Sequence, residues 1–125
     1  MEKNSLTLCE EQVMKCIWDS EVELTLPEIV AAVNSRFQKD WKPQTVSTFL
    51  ARLVRKEYLD MYRKGRTFFY IPLVDKDEYS ADRIEECVSM WGDGDASALL
   101  CALNERRNLR PEEISQIRDL LDELD

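Results

Sequence analysis

Residues 42–72 read KPQTVSTFLARLVRKEYLDMYRKGRTFFYIP, and the period of the apolar residues changes halfway along. In the first half Val46, Phe49, Leu50 and Leu53 recur at spacings of 3, 4 and 7, the repeat of a helix with one apolar face. Lys42-Pro43 opens this helix, because proline is tolerated in a first turn, and it is expected to end near Glu57. Gln44, Thr45, Ser47, Thr48, Arg52 and Arg55 fall on its other face. These are short hydrogen-bonding side chains able to approach base edges, bounded by guanidinium groups suited to guanine or phosphate. Leu59-Asp60-Met61-Tyr62-Arg63 and Thr67-Phe68-Phe69-Tyr70-Ile71 are two aromatic-rich extended runs joined by Lys64-Gly65-Arg66. They predict a β-hairpin with a basic tip.

Toward the N-terminus, two capping boxes mark two more helices. Thr7-Leu8-Cys9-Glu10 starts the first, expected from Leu8 to Asp19, with Val13, Cys16 and Ile17 inward and Met14 and Trp18 flanking them. After a short apolar step from Val22 to Leu24, Thr25-Leu26-Pro27-Glu28 starts the second, whose inward face is Ile29, Val30, Val33 and Phe37. Three short helices, the third polar-faced, followed by a basic-tipped hairpin, form the layout of a winged helix-turn-helix. The third helix would enter the major groove. The wing would follow the backbone or probe the minor groove, where cations meet enhanced negative potential.

The net charge of −8 argues at first against nucleic acid, but it is unevenly distributed. Residues 1–74 carry +1 and residues 75–125 carry −9. Arg36, Lys39, Lys42, Arg52, Arg55, Lys56, Arg63, Lys64 and Arg66 face only Asp40, Glu57 and Asp60 between them, a local +6. Nearly all of these cations fall on the third helix, its approach loop or the wing, so the charge run is a basic footprint. The expected contacts to double-stranded DNA are Lys42, Gln44, Thr45, Ser47, Thr48, Arg52, Arg55, Arg63, Lys64 and Arg66.

The composition turns acidic after Pro72. A helical segment opens at Asp75-Lys76-Asp77-Glu78-Tyr79 with Ile84, Cys87, Val88 and Trp91 on one side, and Gly92-Asp93-Gly94-Asp95 interrupts it. A short helix from Ala96 to Asn104 carries Leu99, Leu100 and Leu103; a last one from Pro111 carries Ile114, Ile117, Leu121 and Leu124 at seam spacing. A segment of some fifty residues with this acidic excess forms an independent core with difficulty, so these side chains are expected to pair with a second copy. A homodimer would also present two recognition helices to a pseudo-palindromic site. The expected division is therefore residues 1–74 for DNA binding and 75–125 for dimerisation, mainly α with one small β-hairpin wing.

Several chemistries are excluded. The chain has no histidine, which removes Ser-His-Asp, Cys-His, HExxH and Cys2His2 arrangements, and acidic pairs such as Glu112-Glu113 lack any catalytic companion, so no enzyme is expected. Cys9, Cys16, Cys87 and Cys101 show no CxxC spacing; Cys9 and Cys16 would lie about 10 Å apart along a helix, too far to share one small ion. No metal or cofactor is expected, and the thiols read as small packed hydrophobes in a reduced cytoplasm. Trp18, Trp41 and Trp91 read as core or interface residues. MEKNSLTLCEEQ carries acids where an export signal needs an apolar run, and no run approaches the ~20 residues of a membrane span, so no membrane insertion is expected.

The chain resembles the penicillinase-repressor (BlaI/MecI/CopY-type) transcriptional regulators of bacteria over nearly its whole length. The resemblance is carried by Leu8 to Trp18, Glu28-Ile29-Val30, Thr45-Val46, Arg52-Leu53, Lys56-Glu57, Gly65-Arg66, Tyr70, Pro72, and Glu112-Glu113-Ile114 to Leu121. It implies a dimeric repressor on an inverted-repeat operator, released by an inducing signal, with Thr45, Ser47, Thr48 and Arg52 toward the groove and Arg63, Lys64 and Arg66 on the wing. In the β-lactam-responsive branch a membrane sensor protease cuts an Asn-Phe bond in the dimerisation region; the aligned bond here is Ala102-Leu103. The copper-responsive branch carries paired cysteines near its C-terminus, and IRDLLDELD has none, so copper derepression is not expected. Two other classes stay open on the residues alone: a winged-helix protein adaptor, and a DNA-binding regulator that responds to oxidation of Cys87 or Cys101.

Overall fold

The computed structural model describes residues 5–124. Met1 to Asn4, the start of the stretch read for an export signal, and Asp125 lie outside the described residues. Helix α1 spans Leu8–Trp18. The Thr7 hydroxyl accepts from the Glu10 N–H at 3.2 Å, and the Glu10 carboxylate accepts from the Thr7 N–H at 2.8 Å, so the expected capping box is formed. Met14, read as a flanking residue, is fully buried with Val13. The reason is that α1 packs against two helices and the sheet at once, which widens its buried face beyond a single stripe.

The apolar step before the second helix forms a strand, β1 (Leu24–Thr25), which the sequence does not predict. Two residues carry no measurable period; they become a strand because Tyr70 and Phe69 offer an antiparallel edge. Helix α2 spans Leu26–Phe37, and the N–H and hydroxyl of Thr25 both donate to the Glu28 carboxylate, at 2.8 and 2.9 Å. Ile29 and Val33 are fully buried, and Val30 and Phe37 pack partly buried against the same core. The helix stops at Gln38, which adopts the left-handed conformation at φ 56°.

Helix α3 spans Pro43–Arg55, with Val46, Leu50 and Leu53 buried and Phe49 at the edge of the core. It ends slightly before Glu57, which itself turns left-handed at φ 67°. The hairpin follows as β2 (Leu59–Lys64) and β3 (Thr67–Pro72), in register from Leu59 opposite Pro72 to Lys64 opposite Thr67. Gly65 occupies the first turn position at φ +66°, which a side chain would strain. The sheet order is β1-β3-β2, and Leu59 and Tyr70 point from it into the core formed by α1, α2 and α3.

Helices α4 (Lys76–Trp91), α5 (Ala96–Arg107) and α6 (Pro111–Leu124) complete the chain. Helix α5 runs past the expected Asn104 because Glu105-Arg106-Arg107 are good helix formers and Asn104 closes the end, its carbonyl accepting from Asn108 and its side chain from Leu109. Two compact units emerge, Met1–Tyr79 and Ser80–Asp125. Val74 and Tyr79 belong to the first because the Trp18 indole donates to the Val74 carbonyl at 2.8 Å and Tyr79 packs on Trp18 and Tyr58. Among the described residues of the second unit no hydrophobic side chain is buried. Cys87 and Cys101, expected to be packed, are exposed there, and Trp91 is 74% exposed, because these helices have no core of their own to enter. Among the described residues no helix is long and apolar enough to cross a membrane.

Candidate nucleic-acid interface

Burial of Val46, Leu50 and Leu53 fixes how α3 is rotated, and its other side emerges as an exposed polar face. Gln44, Ser47, Thr48, Arg52 and Arg55 are exposed there, Thr45 is half-buried, and Lys42 is exposed at the N-cap. The Thr48 hydroxyl donates to the Gln44 carbonyl at 3.0 Å. Its hydrogen is thus used within the helix, so outward it offers an acceptor and a methyl group. Arg63, Lys64 and Arg66 are exposed at the wing, the first two ending β2 and Arg66 in the turn.

The approach to α3 is stiffened by residues whose role the sequence did not reveal. The Asn34 side chain donates to the Trp41 carbonyl and accepts from the Trp41 N–H, both at 3.0 Å, which clamps the loop between α2 and α3. Trp41 packs on Phe49 with ring centroids 5.1 Å apart. Lys39 sits 5.4 Å from the Trp41 ring, and the Arg52 guanidinium 5.9 Å from the Phe49 ring. Two aromatic rings thereby support a cation on either side, which limits the motion of both long side chains. No local spacing marks Asn34 or Trp41 for this, since their contact depends on the turn that separates them.

The structure also reduces the basic footprint. Arg36 is held 2.7 Å from Asp19, which also binds Lys15 at 2.8 Å and Lys76 at 3.4 Å. The hydrogen bonds from Lys15 first, then Arg36, hold the Asp19 carboxyl far below the ordinary aspartate range. Lys56, the C-cap of α3, is held 2.8 Å from Glu10 and donates to the Ser5 carbonyl at 2.9 Å. By contrast, among the described residues no ion pair holds Lys42, Arg52, Arg55, Arg63, Lys64 or Arg66.

In the second unit, Ile84, Leu100, Leu103, Leu121 and Leu124 are exposed beside Trp91, while Val88, Leu99, Ile114 and Ile117 are half-buried. Arg107 meets the Glu113 carboxylate through both terminal nitrogens at 2.9 and 2.8 Å, and Arg110 adds a third contact at 3.2 Å. These bonds, Arg107's first, fix the α5–α6 turn and hold the Glu113 carboxyl far below the usual glutamate range. Ala102 and Leu103 lie inside α5, both exposed.

Known proteins resemble the chain in sequence along most of its length and in fold over part of it. The penicillinase repressor of Bacillus licheniformis is 27% identical over 114 residues, covering 91% of this chain and 87% of the relative. The methicillin resistance regulatory protein MecI of Staphylococcus aureus strain N315 is 25% identical over 116 residues, covering 93% and 92%. The solved DNA-binding domain of the repressor BlaI superposes with a TM-score of 0.54 at 29% identity, covering 62% of this chain and 92% of that one. The B. licheniformis BlaI monomer, solved in complex with the blaP half-operator, superposes with a TM-score of 0.52 at the same identity and coverage. This is a family of winged-helix repressors rather than enzymes. With the family's pattern matched from residue 6 to residue 123, the chain belongs to the penicillinase repressor family.

Proposed function

We propose that the chain is a homodimeric transcriptional repressor that occupies pseudo-palindromic promoter DNA in the bacterial cytoplasm and leaves it on an inducing signal. Residues 1–74 bind DNA and residues 75–125 dimerise. Helix α3 lies in the major groove with Gln44, Thr45, Ser47, Thr48 and Arg52 toward base edges; Lys42, Arg55, Arg63, Lys64 and Arg66 meet phosphates or the adjoining minor groove. The observation that carries this reading is that the cations of the α3 face and the wing are exposed and without ion pairs among the described residues, while their neighbours Arg36 and Lys56 are tied down. The relative solved on a half-operator supports it.

Anisotropy binding to the duplex upstream of the chain's own gene, beside a scrambled duplex across a salt series, tests it. Affinity should be sequence-selective and fall steeply with salt, with a log–log slope of about −0.9 per phosphate neutralised. Arg52→Ala should weaken operator binding by about 1–3 kcal/mol. A folded dimer that ignores both duplexes would instead favour the protein-adaptor reading.

The exposed apolar residues of α4, α5 and α6 support the dimer, since these helices cannot bury them within one chain. For release, a sensor protease acting at Ala102-Leu103 would have to unwind part of α5, because both residues are helical. Intact-mass analysis of the chain from cells treated with a β-lactam decides whether that bond is cut. The exposed thiols of Cys87 and Cys101 favour the redox alternative only if oxidation changes operator affinity.

A further inference from the structure

The wing carries an exposed aromatic ring as well as its cations. Register places Arg63 opposite Phe68 and Met61 opposite Tyr70. Facing residues of an antiparallel pair share a face, so these four side chains stand on the side where Leu59 and Tyr70 enter the core. Helices α1 and α3 both pack against the hairpin, so this is its helix-facing side. Tyr70 is buried, but Phe68, one step nearer the tip, is 43% exposed. The aromatic residues of the opposite face are satisfied internally: Tyr62 stacks on Phe69 with centroids 5.5 Å apart and donates its hydroxyl to Glu23. Among the described residues no ring partners Phe68.

Arg63 stands directly across the hairpin from this exposed ring, Lys64 and Arg66 lie at the tip beyond it, and no acid lies between Tyr62 and Phe69. An exposed apolar ring with one cation across from it and two more at the tip matches a surface that alternates negative charge with apolar walls. A duplex offers that pattern, with phosphates flanking the deoxyribose edge of the minor groove. We propose that Phe68 is an apolar DNA contact that packs on the deoxyribose wall of the minor groove while Arg63, Lys64 and Arg66 hold the flanking phosphates. This rests on the repressor reading and adds a term to binding that does not depend on salt.

The full chain would be titrated against a duplex that the parent protein selects from a random-sequence pool, at several salt concentrations, beside F68A, F68L and R63A. F68A should bind about tenfold more weakly at every salt concentration with its slope unchanged. F68L should recover most of that loss, and R63A should reduce the slope by about one. F68A binding as tightly as the parent overturns the proposal. So does an F68A slope that falls as in R63A, since Phe68 would then act only by placing cations. Loss of the dimer on sedimentation of F68A also overturns it, because the ring would belong to a protein interface. If F68A melts earlier than the parent, Phe68→Thr, which favours a strand, takes its place under the same criteria. A parent chain that enriches no duplex defeats the repressor reading itself, a result separate from any of these.

Discussion

Glu10 is 1% exposed and yet charged, at the third position of α1. Burial pushes its carboxyl up, but the Lys56 ammonium and the Thr7 amide more than offset this, so it lies below the ordinary glutamate value. One carboxylate thereby caps α1 and pins the end of α3, two tasks whose partners are 3 and 46 residues away. Glu10→Gln keeps an acceptor for Thr7 and removes the charge facing Lys56. It should lower stability at pH 7 by roughly 1–3 kcal/mol, below the full penalty for stranding a buried charge because Lys56 keeps contact with water. A group with a depressed folded pKa contributes stability above its unfolded value of about 4.3 and loses it as pH falls through the folded value. Denaturant melts should therefore show parent and Glu10→Gln converging below about pH 4. A gap that stays constant into acid would mean that the pair's charge is not what stabilises the contact.

At the scale of elements, the turn between α2 and α3 sets how the exposed polar face of α3 is held. Asn34 supplies both hydrogen bonds to the Trp41 backbone, and Trp41 in turn supports Phe49 and Arg52. Asn34→Ala should destabilise the fold by about 1–3 kcal/mol, since two part-buried backbone groups lose their partners. It should also weaken operator binding, measured by anisotropy under conditions where both proteins are folded. Asn34→Asp, which keeps the acceptor and loses the donor, should lie between the two. If operator affinity of the folded Asn34→Ala chain is unchanged, the clamp serves stability alone. The helices and hairpin were legible here because caps, Pro43 and Gly65 act within a few residues. Strand β1 was not, because Leu24 and Thr25 are extended only in the company of Tyr70 and Phe69.

On the scale of the whole molecule, the two units differ in what they can bury. The first has a core from Val13 to Tyr70; the second leaves Trp91, Leu121 and Leu124 more than half exposed. If the second unit pairs two copies as proposed, Leu121→Asp should leave the melting of the first unit intact and shift that dimer to monomer in sedimentation equilibrium. Binding to a duplex with two half-sites should fall by about a hundredfold, because the advantage of linked sites is lost, while binding to a single half-site stays near the parent value. Equal losses on both duplexes would show that dimerisation does not act through linkage.

By itself the sequence determined the helical stretches, the capping boxes of α1 and α2, the hairpin turn and the change to acidic composition near residue 75, because these depend on residues within one or two turns of each other. Only the tertiary structure decided which cations of the basic footprint are held by ion pairs and which are not. Arg36 and Lys56 look the same in sequence as Arg52 and Arg55, but packing brings Asp19 to the first and Glu10 to the second. The same holds for Phe68 and Phe69, adjacent in the chain, one exposed on the face it shares with Tyr70 and the other stacked on Tyr62. Charge and ring type are local properties; whether a partner reaches them depends on contacts between distant segments, and those form only when the chain folds.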